Sequence, residues 1–414
     1  MNHFITNIHV NELFHLNNFD IPIADDKHPH LIITGKNGSG KTILLNALAD
    51  FVDKVKQDTN LYFLEMPNWI QNAELRIQKA DDGESLSKAR MQLDNIQKSY
   101  DSFYGKVNVT FKNVADIIKK YQDGNFIFAF YEAARKPHIN EPKNPTKPNY
   151  SVKGDSKKTA TDQLLNFLSD LKIQAALAKN ENQIQDVKSI FKWFDNFEQL
   201  LQRIFKDNRL ELKFDYRNYG FSILSEGKKF SFNQLSDGYA AILDIVVDLI
   251  LKMQDGNSLS NVYNKEGIVF IDEIETHLHL ALQKDIMQIL TETFPNIQFI
   301  VTTHSPFVLN SMSNAVAYDL ENKKDLTDDL TKYSYEVLAE GYFGVSTESS
   351  SIEIRLQKLI ELLSQKVISD SDKNTIRQII TEMDKISEAV SPDLVGEYRR
   401  IKLDHVNIIK EVLA

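Results

Sequence analysis

The sequence predicts an α/β fold, and three observations carry that prediction. A short apolar run, "HLIITG", breaks at Gly35 and gives way to helical spacing at Ile43, Leu44, Ala47, Leu48 and Phe51. Two further apolar runs, "GIVFIDE" and "IQFIVTTH", read as buried strands on either side of a helix, "LALQKDIMQILTETF". Between and after these blocks lie long stretches with a helical period, which predict a helical insertion and a helical C-terminal segment.

Taken in order, residues 3 to 24 alternate polar and apolar, as an antiparallel hairpin does. Strand, glycine loop and helix follow over 30 to 55 and open the α/β core. Residues 55 to 206 form a mainly helical insertion. Within it, 72 to 104 read as a short exposed helical hairpin broken at "DDG", 81 to 83, while "NVTFKN" and "NFIFAFYEA" read as strands. Residues 163 to 206 place Leu164, Phe167, Leu168, Leu171, Ala175, Phe191, Phe194, Leu201 and Ile204 within reach of one core. "LELKFDY" and "FSIL" alternate and predict a hairpin returning to the sheet, so that the core spans 1 to 54 and 207 to 320. "NAVAYDL" adds a strand. Residues 321 to 414 read as a helical segment for a partner or for self-association, with "SPD" at 391 to 393 restarting a helix.

Composition narrows the function classes. At 414 residues the chain has room for two to three domains, or one domain with large insertions. No run of about 18 apolar residues predicts a membrane span, and the N-terminus shows no basic region ahead of an apolar stretch, so no secretory signal is expected. The absence of Cys excludes disulfides and thiolate metal sites and fits a cytoplasmic location. A net charge of −10 makes the chain as a whole repel nucleic acid. Residues 135 to 158 are the exception: seven Lys and Arg stand against two acids, with four prolines. That segment reads as a solvated loop, or as a contact site for nucleic acid or an acidic partner.

The chemistry is concentrated in four short motifs. "GKNGSGKT", Gly35 to Thr42, has the spacing of a phosphate-binding loop. Glycines let successive backbone N–H groups of Asn37, Gly38, Ser39 and Gly40 face a phosphate, at a helix N-terminus that is itself electropositive. Lys41 is suited to the β and γ phosphates of a bound ATP, and the Thr42 hydroxyl to Mg²⁺. "GIVFIDEIETH" puts two acids where a buried strand ends, a costly place for charge unless a cation or a proton transfer uses it. Asp272 is the candidate metal ligand and Glu273 the candidate base for the attacking water. "FIVTTHSPFVL" ends a second buried strand at His304, a candidate catalytic group beside Asp272, and Ser305 and Pro306 suit the start of a helix. "NQLSDGYAAI" reads as a helix N-terminus capped by Ser236 or Asp237.

In this order the motifs resemble the ABC-class ATPases, in the soluble branch that includes the SMC-like, DNA-repair and overcoming-lysogeny enzymes. The resemblance covers residues 1 to 50 and 230 to 312. It implies a P-loop NTPase fold with an ABC-type core, and a homodimer or higher oligomer in which ATP is sandwiched between protomers. Ser236 and Gly238 then contact the γ-phosphate in trans, "THLH", 276 to 279, is the D-loop, His304 the switch histidine and Asn37 the P-loop asparagine. Asp237 replaces a second signature glycine and Ala240 the usual Gln, unlike transporter subunits. No Q-loop glutamine is placed; "FIFAFYEAAR", ending in Arg135, is the candidate for that region. "SDGY", "DEIETHLH" and "QFIVTTHSPFVL" look most like ATPases of Septu-, PARIS- and retron-type anti-phage systems, which implies a separate effector, a nuclease above all. Two other readings remain open from sequence: an ATP-dependent assembly scaffold with little turnover, and an SMC-like DNA-repair ATPase. A fused nuclease is not expected, because Glu340–Gly341 lacks surrounding strands and helix capping explains Asp370 and Asp372.

Overall fold

The computed structural model describes residues 3–23, 30–135, 139, 157, 159–254, 263–326, 330–335, 337–338, 350–365, 368–384 and 392–413. Two compact units emerge, Met1–Tyr333 and Ser334–Ala414.

In the first unit, β1 (Ile5–Leu13) and β2 (Leu16–Pro22) pair antiparallel, and β1 also pairs with β4 (Val107–Phe111), giving a three-stranded sheet in the order β2-β1-β4. Its inward face, Ile5, Ile8, Val10 and Val109, joins one core with the helix that follows the phosphate loop.

The central sheet has six strands in the order β12-β11-β3-β10-β9-β5. These are β3 (His30–Thr34), β5 (Phe126–Tyr131), β9 (Glu266–Ile271), β10 (Ile297–Thr302), β11 (Ala315–Asp319) and the short antiparallel edge β12 (Lys324–Leu326). All but β12 run parallel. Every residue of β3, β5 and β10 is buried, as strands covered on both faces require. The register aligns Tyr131 with Ile271, Ile271 with Val301, and Thr302 with Ile33, so the carboxyl ends of four strands finish in one row.

Helix α1 (Lys41–Gln57) leaves β3 and buries Leu44, Leu45, Leu48, Phe51 and Val52 against the sheet. Helices α2 (Tyr62–Gln78) and α3 (Gly83–Tyr104) form a hairpin that breaks where expected but begins at Tyr62 and not near residue 72; the second helix is capped by Asp82, whose carboxylate accepts from the Ser85 N–H. After the short α4 (Val114–Gln122), helices α5 (Leu164–Asn180) and α6 (Ile184–Phe205) pack through Phe167, Trp193 and Phe197. Phe191 departs from its expected core place and is 51% exposed.

Two strand assignments differ from the sequence reading. The hairpin of β6 (Glu211–Asp215) and β7 (Gly220–Ser225) does not return to the central sheet. With β8 (Lys228–Phe230) it forms a separate antiparallel sheet. The alternation of buried and exposed residues in these strands suits a sheet covered on one face only, whereas the central strands are apolar throughout. Conversely, β5, which falls within the stretch expected to be a helical insertion, is part of the central sheet and pairs with β9 along its whole length. Long helix α7 (Asp237–Met253) buries nearly every side chain, and α8 (Leu280–Thr293) connects β9 to β10.

The second unit contains helices Ser350–Leu363, Asp370–Met383, Pro392–Asp404 and Val406–Leu413. Leu359, Leu363, Ile376, Ile380, Tyr398 and Val412 share its core. The Tyr398 hydroxyl donates to Asp384 at 2.8 Å. The strand Lys324–Leu326 and the turn Leu330–Lys332 lie in the first unit, so the helical unit begins beyond residue 321.

Candidate nucleotide site

The site is assembled where four parallel strands end, the edge at which open α/β sheets bind ligands. From β3 the chain turns sharply through the glycine loop. Gly38 and Gly40 take φ of +84° and +97°, a conformation costly for any side chain, and a Cβ on Gly40 would stand 2.8 Å from the Leu16 side chain. Inside the loop, the buried Lys41 ammonium donates to the carbonyl oxygens of Gly35 at 2.8 Å and Lys36 at 3.1 Å. Burial holds its pKa below the usual lysine value, opposed by Glu273, Glu275 and Asp272. The Ser39 hydroxyl is buried with no partner. An orphaned hydroxyl, a cationic amine and the free N–H groups of a helix start fit an anionic polyphosphate. Asn37 and Gly38 are exposed on the rim.

Asp272, 3% exposed, follows β9. One carboxylate oxygen accepts from the Thr42 hydroxyl at 2.8 Å and the other from the Thr302 hydroxyl at 2.6 Å. Thr302 in turn accepts from the Glu273 N–H at 2.7 Å, so one hydroxyl fixes both acids. Glu273 sits at φ +43°, a left-handed conformation that a side chain this size adopts at a cost of about 1–3 kcal/mol. Its carboxylate accepts from the Thr276 hydroxyl at 3.2 Å. Hydroxyl and carboxylate oxygens are hard donors of the kind Mg²⁺ takes, and Thr42 and Asp272 are the residues that would hold it. Among the described residues no group of three or more His, Cys, Asp or Glu could hold a metal, so this pair stands apart from an all-protein cage.

His304 follows β10 and is half-buried, with its N–H donating to Glu275 at 2.5 Å. Burial, then the nearby Lys41 charge, holds its imidazole below the usual histidine value, against the pull of Glu273 and Asp272. Glu275 also accepts from the Thr303 hydroxyl at 2.7 Å, and burial pushes its carboxyl up. Ser305 caps the short helix Pro306–Leu309 by accepting from the Phe307 N–H.

The "LSDG" loop is built differently from the expectation of a side-chain cap. Ser236 is the N-cap of α7, yet neither it nor Asp237 caps the helix, and both side chains are exposed. Gly238 is buried against the 276–279 turn, where a Cβ would stand 2.7 Å from the His277 carbonyl oxygen. Among the described residues no hydrogen bond joins Ser236 or Gly238 to the phosphate loop. The site residues thus fall into two groups within one protomer: Asn37 to Thr42 with Asp272, Glu273 and His304, and Ser236 with Gly238.

Three contributors were not singled out from sequence. Thr302 bridges the acids, Glu275 holds the backbone of His304, and a buried cluster ties α7 to the site. In that cluster the Tyr131 hydroxyl donates to Asp248 at 2.6 Å, Lys252 pairs with the same carboxylate at 2.6 Å, and the Thr161 hydroxyl donates to Asp244 at 2.6 Å. Tyr131 also accepts the Asp272 N–H at 2.8 Å through its carbonyl. Polar residues at the end of a buried strand, such as Thr302–Thr303, and acids within an apolar helix, such as Asp244 and Asp248, are the signals that mark them.

The remaining sequence expectations have fixed places. Of 135 to 158, only Arg135, Ile139 and Lys157 are described, and Glu340–Gly341 lies outside the described residues. Asp370 and Asp372 open a helix capped by Ser369, whose hydroxyl accepts from the Asp372 N–H. No helix among the described residues is long and apolar enough to cross a membrane.

Comparison with known proteins gives the geometry a family. The chain is 24% identical over 359 residues to the "Retron Vc95 probable ATPase" of Vibrio cholerae serotype O1 biovar El Tor, covering 68% of this chain and 67% of that protein. It is 40% identical over 115 residues to the "Retron Ec83 probable ATPase" of Escherichia coli, covering 27% of this chain and 19% of that protein. Against the Septu protein PtuA of Bacillus mycoides (strain KBAB4) it is 30% identical over 207 residues, 47% of this chain and 28% of that one. The chain therefore spans less than a third of the last two relatives. Among solved structures, an SMC head bound to the C-winged helix domain of ScpA has a TM-score of 0.36 at 12% identity, covering 78% of this chain and 96% of that one. A nucleotide-free ATP-binding cassette of an ABC transporter has 0.34 at 15%, covering 80% and 94%. These scores add nothing to the assignment. The family described as "AAA domain, putative AbiEii toxin, Type IV TA system" matches residues 93–310, just over half of the chain, including the acidic strand end and His304. The chain belongs to this AAA-domain family and is an ATPase.

Proposed function

We propose that the chain binds ATP on the Gly35–Thr42 loop and hydrolyses it with Glu273 as the base that orients water, as a switch controlling a separate effector protein in anti-phage defence. The observation that carries the catalytic part is the bond chain Thr42–Asp272–Thr302–Glu273, which joins phosphate loop, candidate metal ligand and candidate base in one site. Bound Mg²⁺ would neutralise charge on the β and γ phosphates. Lys41 exchanges its two loop carbonyls for phosphate oxygens, and His304, neutral at pH 7, offers a hydrogen bond to the γ-phosphate side.

The active form is proposed to be a dimer. Ser236 and the open N-terminus of α7 face solvent, and a γ-phosphate held by a second protomer supplies the acceptor they lack. ATP then favours the closed state and ADP does not, the unequal affinity that any switch requires. The retron and Septu names of the relatives support the defence role, and a nuclease is the effector class proposed. The helical unit from Ser334 onward is proposed to carry the contacts with a partner or a second copy. Residues 135–158 remain a proposed nucleic-acid contact.

The test is ATP-dependent dimerisation followed by light scattering, with nucleotide release measured in parallel. Glu273→Gln should hold ATP and stay dimeric, Lys41→Ala should fail to bind, and Ser236→Arg should bind ATP as a monomer. Equal nucleotide release by wild type and Glu273→Gln would sink the switch.

A further inference from the structure

The turn after β9 is held from a side that none of the four motifs supplies. Arg135, 5% exposed, reaches it from the segment following β5. Its Nη1 donates to the Asp272 carbonyl at 3.2 Å, and its Nη2 to the Glu273 carbonyl at 2.8 Å and the Ile274 carbonyl at 3.4 Å. Three successive carbonyl oxygens converge on one planar guanidinium, a geometry that a lysine ammonium cannot reproduce.

The contact matters because Glu273 is in a strained conformation. Such a residue persists only where its surroundings over-determine it. Thr302 fixes the N–H of Glu273 at 2.7 Å, and Arg135 fixes its carbonyl at 2.8 Å. The residue is pinned at both ends of its backbone, which fixes the direction of its Cα–Cβ bond and so the point from which the carboxylate reaches. Among the described residues the buried guanidinium Nε has no hydrogen-bond partner, so the three carbonyl contacts are what hold the group in place.

We infer that Arg135 is a positioning residue that sets the reach of the Glu273 carboxylate through the Asp272–Ile274 backbone. The inference rests on Glu273 being the base, as proposed above. Displacing a base by about 1 Å costs on the order of a hundredfold in rate while leaving substrate binding intact. Arg135 therefore acts on turnover and not on affinity.

Arg135→Lys, Arg135→Gln and Glu273→Gln, each in the full chain, test this by ATP affinity, turnover and melting temperature. Arg135→Lys should bind ATP within about threefold of wild type and turn over at least about tenfold more slowly. Arg135→Gln should repeat that split, and Arg135→Lys decides if it does not fold. Turnover of Arg135→Lys within twofold of wild type overturns the inference, as does an affinity loss equal to the turnover loss. Retention of turnover by Glu273→Gln would instead overturn the assignment of the base, and this inference with it.

Discussion

The Thr42 hydroxyl donates to the Asp272 carboxylate across 2.8 Å, joining the first turn of α1 to the end of β9. Two sites 230 positions apart in the chain are thereby joined in one structural unit. Thr42→Val keeps the shape and removes the donor. It should abolish Mg²⁺-dependent turnover, and, by leaving one oxygen of a buried acid unpaired, lower nucleotide-free stability by about 1–3 kcal/mol. Denaturant unfolding of the apo protein reads the second effect separately from the first.

Asp248 is fully buried and serves Tyr131, Lys252 and the Ala160 N–H together. Asp248→Asn removes one charge partner of the Lys252 ammonium and weakens the bonds to Tyr131 and the Ala160 N–H, and should cost about 1–3 kcal/mol. Tyr131→Phe removes one donor among several and should cost about 1 kcal/mol. Lys252 and Asp248 both belong to α7, and the Tyr131 hydroxyl links that pair to the end of β5, so a reversed order of the two in urea unfolding would show that the Tyr131 bond outweighs the Asp248 charge in this cluster.

Gly238 has no room for a side chain. In Gly238→Ala the new methyl meets the His277 backbone oxygen at 2.7 Å, so helix α7 and the 276–279 turn must part. The expected result is a folded ATP-binding monomer, destabilised by about 1–3 kcal/mol, with ATP-dependent dimerisation reduced at least tenfold. Sedimentation with and without ATP measures it.

His304 sets a pH dependence whose sign follows from its lowered pKa. Between its native value and the usual value of about 6.5, the unfolded chain binds a proton that the native state does not. Stability therefore rises with pH through that window, is flat above about 6.5, and falls in acid. His304→Gln should flatten this part of the melting temperature profile on the acid side of about pH 6.5.

Much of the site was legible because its chemistry is local. Each position from Gly35 to Thr42 is constrained by one phosphate, and the acids at 272 and 273 betray themselves by interrupting an apolar strand. What could not be read depends on pairing across the chain. Nothing in "FIFAFY" says that its neighbour is β9 and not another strand, and nothing in "LELKFDY" says that its hairpin stays apart from the central sheet. Arg135 acts through backbone groups of residues far away in sequence and leaves no mark of that in its own surroundings, whereas Thr302 is marked only as a polar residue ending a buried strand, with nothing to name its partners. Ser236 was misread for the opposite reason. A Ser-Asp pair before a helix is the local pattern of a cap, whereas here both side chains are left to solvent.

The sheet order has a bearing on how the molecule is made. β3 carries the phosphate loop, yet its two neighbours, β10 and β11, are translated more than 260 residues later. β5 likewise waits for β9. On the ribosome the loop emerges early and stays unsupported until the chain has passed β11, with exposed apolar strand edges that chaperones would have to shield. A chain that stops short of β10 therefore lacks both strands that flank β3 in the finished sheet.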